Sequence, residues 1–144
     1  MNDIYQLQRF LDAQEAVYPD VVRELREGRK ESHWMWYIFP QVKGLGKSHI
    51  SQKYALGSLD EATAYVQHPI LGNRLHECTE IVVSTEESTV EQIFGYPDNL
   101  KFHSSMTLFS QVKNHNPLFD SALKKYFDNK KDQLTLDALS GSSI

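Results

Sequence analysis

The chain has 144 residues, 40% apolar and 24% charged, with a formal net charge of −4. That length suits one domain and buries enough surface to fold without a covalent staple. The acidic balance argues against sequence-independent nucleic-acid binding. One cysteine, Cys78, excludes an internal disulfide and a cysteine-cluster zinc site.

The N-terminus, Met1-Asn2-Asp3-Ile4-Tyr5-Gln6, lacks the basic and apolar regions of a secretory signal. The longest apolar run, Trp34-Met35-Trp36-Tyr37-Ile38-Phe39, falls far short of the ~20 residues a membrane helix needs. The expectation is a cytoplasmic protein with no membrane and no nucleic-acid partner. Asp3 predicts the cap of a first helix with Ile4, Leu7, Phe10, Leu11 and Val17 inside. Pro19 predicts its interruption, and a second short helix carries Val21, Val22 and Leu25 to a stop at Gly28. Residues 40–51 read as a long ordered loop holding Gly44, Gly46, Lys47 and Ser48.

Beyond the loop, Ser58-Leu59-Asp60-Glu61 is a capping-box pattern. His68-Pro69 restarts the chain, since proline fits a first helical turn. Ile70, Leu71, Leu75, Cys78 and Val82 then trace a longer amphipathic helix. Ser88-Thr89-Val90-Glu91 is a second box, stopped by Gly95. Asp98 predicts the cap of a helix reaching about Lys113, and Asn116-Pro117 opens another with Leu118, Phe119, Leu123 and Phe127. A last turn holds Leu134, Leu136 and Leu139, before a frayed tail at residues 140–144. No alternating strand pair with a hairpin turn is present. The fold class expected is mainly α: a single compact multi-helix domain over residues 1–144 with the long loop at its centre.

Two motifs invite chemistry. Gly46-Lys47-Ser48 fits the end of a phosphate-binding loop, but position 41, where the pattern needs its first glycine, is Gln. Ile81-Val82-Val83 ends in Ser84 rather than the acidic residue that would hold magnesium. Two glycines shaping a tight turn is the plainer reading, with an anion nest of backbone N–H groups and Lys47 between the extremes. The second motif is Ser32-His33-Trp34-Met35-Trp36-Tyr37-Ile38-Phe39-Pro40-Gln41, which holds both tryptophans of the chain. Ser32 reads as the cap of a short helix that Pro40 ends. Such a cluster is usually core. His33 and Gln41 at its edges add the polar company of a binding pocket.

These strings carry a family resemblance. Ser32-His33-Trp34-Met35-Trp36, Phe39-Pro40-Gln41, Gly44-Leu45-Gly46, His68-Pro69 and Ser104-Ser105-Met106-Thr107-Leu108-Phe109 are the specific ones, and the match spans nearly the whole chain. The sequence resembles domain-of-unknown-function family 1810, small bacterial proteins. The resemblance implies a mainly helical fold and carries no established activity or catalytic residue. Some members bear a calpastatin-like label, which does not fit a chain of globular composition. Phe102 stands where relatives are expected to carry a shorter aliphatic residue.

A helical wheel sharpens one segment. Taking Asp98 as zero, Phe102, Met106, Phe109, Val112 and Leu108 define an apolar arc from ~280° to ~80°. Lys101 at ~300° and Ser105 at ~340° fall inside it. A lysine there needs an ion-pair partner or a wet cavity. An Asp98–Lys101 pair with the ammonium snorkelling outward is the plain account. The functional account brings Lys101 and Ser105 to one cavity with His33 and Gln41.

Three functions compete. The first is a small anionic or nucleotide-like ligand bound by His33, Trp34, Trp36, Gln41, Gly44, Gly46, Lys47, Ser48, Lys101 and Ser105, with tryptophan faces stacking on a planar group. The second is a hydrolase or glycosidase acting on a nucleotide-like compound, with Asp98 or His33 as the acid/base. The third is an interaction module whose aromatic segment is only core. The histidines lack metal-ligand spacing, so no metal and no cofactor are expected. His68 reads as a helix-entry residue and Cys78 as core filler.

Overall fold

The computed structural model describes residues 3–141. Asp3 does act as a cap, its carboxylate accepting from the backbone N–H groups of Leu7 at 2.8 Å and Gln8 at 2.9 Å. Helix α1 then runs unbroken over Gln8–Arg26 with Pro19 inside it. Pro19 is exposed, so the carbonyl its missing N–H strands reaches water. The buried stripe Phe10, Gln14, Val21 and Leu25 spans both sides of the proline and holds the two halves in line. α2 (Met35–Ile38) is a single turn, and Trp34, not Ser32, occupies its N-cap position.

The central loop is shorter than the 40–51 span expected from its glycines. α3 (His49–Lys53) begins inside it, with the Ser48 side chain accepting from Ser51 N. An isolated parallel bridge, Val42 to Leu56, closes the loop at its base. The Arg9 guanidinium pins the same base, donating to the carbonyls of Lys53 at 2.8 Å and Ala55 at 2.9 Å and to Glu61 at 2.8 Å.

α4 (Leu59–Gln67) is capped by Ser58. The Glu61 carboxylate turns back to Gly57 N instead of completing a box. α5 (Pro69–Ser84) starts at His68, whose Nδ1 accepts from Ile70 N and Leu71 N. The true capping box belongs to Thr89 and Gln92, one residue later than the sequence pattern, and opens α6 (Val90–Phe94). α7 (Asp98–Ser110) has Pro97 at its N-cap, which leaves the Asp98 carboxylate free for other partners. α8 (Pro117–Phe127) is capped by Asn116. α9 (Gln133–Gly141) is helical through Gly141, where a frayed tail is expected; residues 142–144 lie outside the described residues.

Among the described residues the fold is nine helices sharing one core, with none long and apolar enough to cross a membrane. α7 is its axis and packs against α4, α6, α8 and α9. Burial reaches nearly all round it from Ser104 to Ser110, wider than the arc read from the wheel. Phe102 stands where Phe39 meets it edge-on at 5.0 Å and Phe94 stacks at 4.7 Å.

Candidate functional site

Among the polar groups within this core, two centres are built on the carboxylates of Glu24 and Asp98. In the first, Glu24 of α1 puts a carboxylate with 1% exposure under the 31–34 turn. Its Oε1 accepts from Glu31 N at 2.7 Å, Ser32 N at 2.9 Å and Trp34 Nε1 at 2.9 Å, and its Oε2 accepts from the Ser32 hydroxyl. Burial alone would raise the carboxyl pKa. The four donors outweigh it and hold the value down to about 2. Trp34 is fully buried here. Ser32 is spent on Glu24, which is why it caps nothing.

The second centre lies at the start of α7. Asp98 takes Lys30 Nζ at 2.8 Å on one oxygen and Lys101 Nζ at 3.0 Å on the other. Burial raises the Asp98 pKa, and the two lysines outweigh that and keep it below the usual carboxylate range. Lys30 is nearly buried, at 7% exposure, and also donates to Ser32 O at 2.6 Å. The Lys101 ammonium sits 4.0 Å from the centre of the Trp36 ring. Two lysines share one carboxylate, which leaves the centre with a net positive charge. Trp36 Nε1, Ser105 Oγ and Asn99 Oδ1 are buried and have no hydrogen-bond partner among the described residues.

A groove of about 260 Å³ opens beside Lys101. Of the residues singled out from sequence, the groove joins Gln41, Gly46 and Lys101. Trp36 borders it only through the Lys101 contact. His33 is exposed and lies outside it, and Trp34 belongs to the Glu24 centre. Gly44 takes φ +105° in the turn, a conformation suited to glycine. At Gly46 a Cβ would lie 2.4 Å from Ser51 Oγ, so the residue lets the turn close on α3. Lys47 is exposed, and Ser48 is committed to capping. No phosphate loop is formed. The groove also takes in Leu45, Leu100, His103, Ser104, Asp132 and Leu134, which the sequence reading did not select. Ser104 follows Lys101 at helical spacing and was within reach of the wheel. Asp132 comes from the start of α9, and nothing local in the sequence ties it to Lys101.

Elsewhere, Cys78 is fully buried. Burial, the largest cause, pushes its thiol up to about 12. An open depression of about 840 Å³ separates the C-terminal ends of α1 and α5 and is lined by Glu27, Glu77, Glu80 and Glu86 with Arg26. No group of three metal-ligating side chains occurs among the described residues.

A family model described as "Protein of unknown function (DUF1810)" matches residues 4–139. The crystal structure of the conserved hypothetical protein Rv1873 from Mycobacterium tuberculosis is similar, with 48% sequence identity and a TM-score of 0.94 over 96% of this chain and 99% of that one. No curated protein matches the chain.

Proposed function

We propose, for a chain that belongs to the DUF1810 family of proteins of unknown function, that the groove beside Lys101 binds a small anionic ligand. The observation that carries this reading is the sharing of Asp98 by Lys30 and Lys101, at 2.8 and 3.0 Å, on the edge of an open groove. The Lys101 ammonium gives one hydrogen bond to the shared Asp98 carboxylate and keeps donor capacity for a ligand anion on its groove side. The Gln41 side chain, in the same groove, adds a neutral hydrogen-bonding group.

The nucleotide form of the reading is weaker. Trp34 is buried and the Trp36 face is covered by the Lys101 ammonium, so neither offers an open platform for a base. The hydrolase form lacks its acid/base. Asp98 is ionised with both oxygens already paired, and His33 stands away from the groove.

The test is a thermal-shift and tryptophan-fluorescence titration with acetate, inorganic phosphate and AMP, on the native chain, Lys101→Met and Lys47→Met. Small anions are expected to raise the melting point of the native chain and of Lys47→Met but not of Lys101→Met. An equal shift in Lys101→Met, or no shift with any of the three, overturns the reading.

A further inference from the structure

The composition of the groove says more about its ligand than charge alone. Lys101 shares it with an opposite charge, Asp132. That carboxylate is held in place through one oxygen: Oδ2 accepts from Ser104 Oγ at 3.0 Å, Thr135 N at 3.2 Å and Thr135 Oγ1 at 2.6 Å. Oδ1 takes none of these bonds. Its own backbone N–H is tied to Thr107 Oγ1 at 2.9 Å, so both the main chain and the side chain of Asp132 are fixed against α7. A fixed anion in a space of about 260 Å³ repels a second ligand charge of the same sign. It attracts a cation.

Beside the polar Gln41, His103 and Ser104, the rest of the wall is apolar. Leu45, Leu100 and Leu134 line the groove, and Leu100 and Leu134 are 49% and 66% exposed, unusually open for leucine. The space lies below the roughly 300–1,000 Å³ of drug-sized ligand sites. It suits one molecule the size of an amino acid.

We infer that the ligand is a small zwitterion with an apolar body, of the α-amino-acid class. Its carboxylate meets Lys101, its ammonium meets Asp132, and its side chain covers the leucines. The inference rests on the reading of the Lys101 groove as an anion site and adds the second charge and the apolar wall. A dianionic phosphate ester fits poorly, because Asp132 opposes its extra charge. A plain apolar acid leaves Asp132 without a counter-charge, and a plain amine does the same to Lys101.

The experiment uses leucine, 4-methylpentanoate, which keeps the chain and the carboxylate but lacks the ammonium, and 3-methylbutylamine, which keeps the ammonium alone. Binding to the full chain is read by ligand-observed NMR and tryptophan fluorescence. Leucine is expected to bind about tenfold or more tightly than either analogue, the scale of one charge-assisted hydrogen bond. Asp132→Asn keeps the α9 cap, since asparagine is an equally good N-cap residue. In that variant the preference for leucine over the acid is expected to vanish while affinity for the acid holds. Equal or tighter binding of 4-methylpentanoate by the native chain, or a leucine preference that survives Asp132→Asn, overturns the zwitterion inference and leaves the anion site standing. Binding of the amine as tight as that of leucine, or binding of none of the three with Lys101→Met behaving as the native chain, overturns both.

Discussion

Glu24 binds Trp34 directly, whereas Asp98 reaches Trp36 only through Lys101: two carboxylate–indole pairings whose tryptophans lie two residues apart. The first is closed. Trp34 Nε1 donates to Glu24, and every remaining bond of that carboxylate goes to the turn above it. The second is open. Asp98 binds only lysines, Trp36 Nε1 has no partner, and Lys101 faces a groove. A saturated polar centre rigidifies the chain around it, whereas an unsatisfied buried donor costs free energy until something completes it. The contrast teaches that one unusual aromatic segment holds a saturated half and an unsatisfied half, and that hydrogen bonding tells them apart.

The largest effect should come from emptying the closed centre. Glu24→Ala strands four donors at a buried site and is expected to cost about 3–5 kcal/mol in denaturant unfolding, against about 1 kcal/mol or less for Lys101→Met at the open one. Comparable losses in the two variants would erase the distinction.

Acid should reach the closed centre next. Glu24 has its pKa lowered from 4.5 to about 2 on folding, so its contribution is fully present above pH 4.5 and is lost as pH falls toward 2. Over that window the chain is expected to lose roughly 3 kcal/mol of stability through this group, by the linkage between pKa shift and free energy. Asp98, also lowered, works in the same direction below 3.8. Unfolding midpoints measured across this range should flatten in Glu24→Gln.

The smallest effect separates the indoles themselves. Trp34→Phe removes a bonded donor and ring volume, and is expected to cost about 2 kcal/mol. Trp36→Phe deletes a donor with nothing to lose and should cost about 1 kcal/mol or less. The same pair of variants, measured by fluorescence quenching, should assign the accessible emission to Trp36.

Much of this was legible in the residues, and the misses have physical causes. Caps that are local showed themselves: Ser58, His68 and Asn116 each bond an N–H two or three residues on. The wheel found Lys101 and its Asp98 partner because i, i+3 spacing is a property of one helix. Pro19 misled, because the stripe that overrides it gains its free energy from burial against other helices, chiefly α5. Lys30 and Asp132 were invisible for the same reason. Each meets α7 from a distant part of the chain, and its role exists only after the helices pack.

Cys78 leaves the molecule with an inert thiol background. With its sulfur fully buried and its pKa near 12, it stays protonated and shielded at neutral pH. A cysteine introduced at Leu134, on the exposed lip of the groove, would therefore be the single handle that a maleimide dye or spin label finds. The native chain thus comes ready for reporter chemistry, with no residue needing removal first.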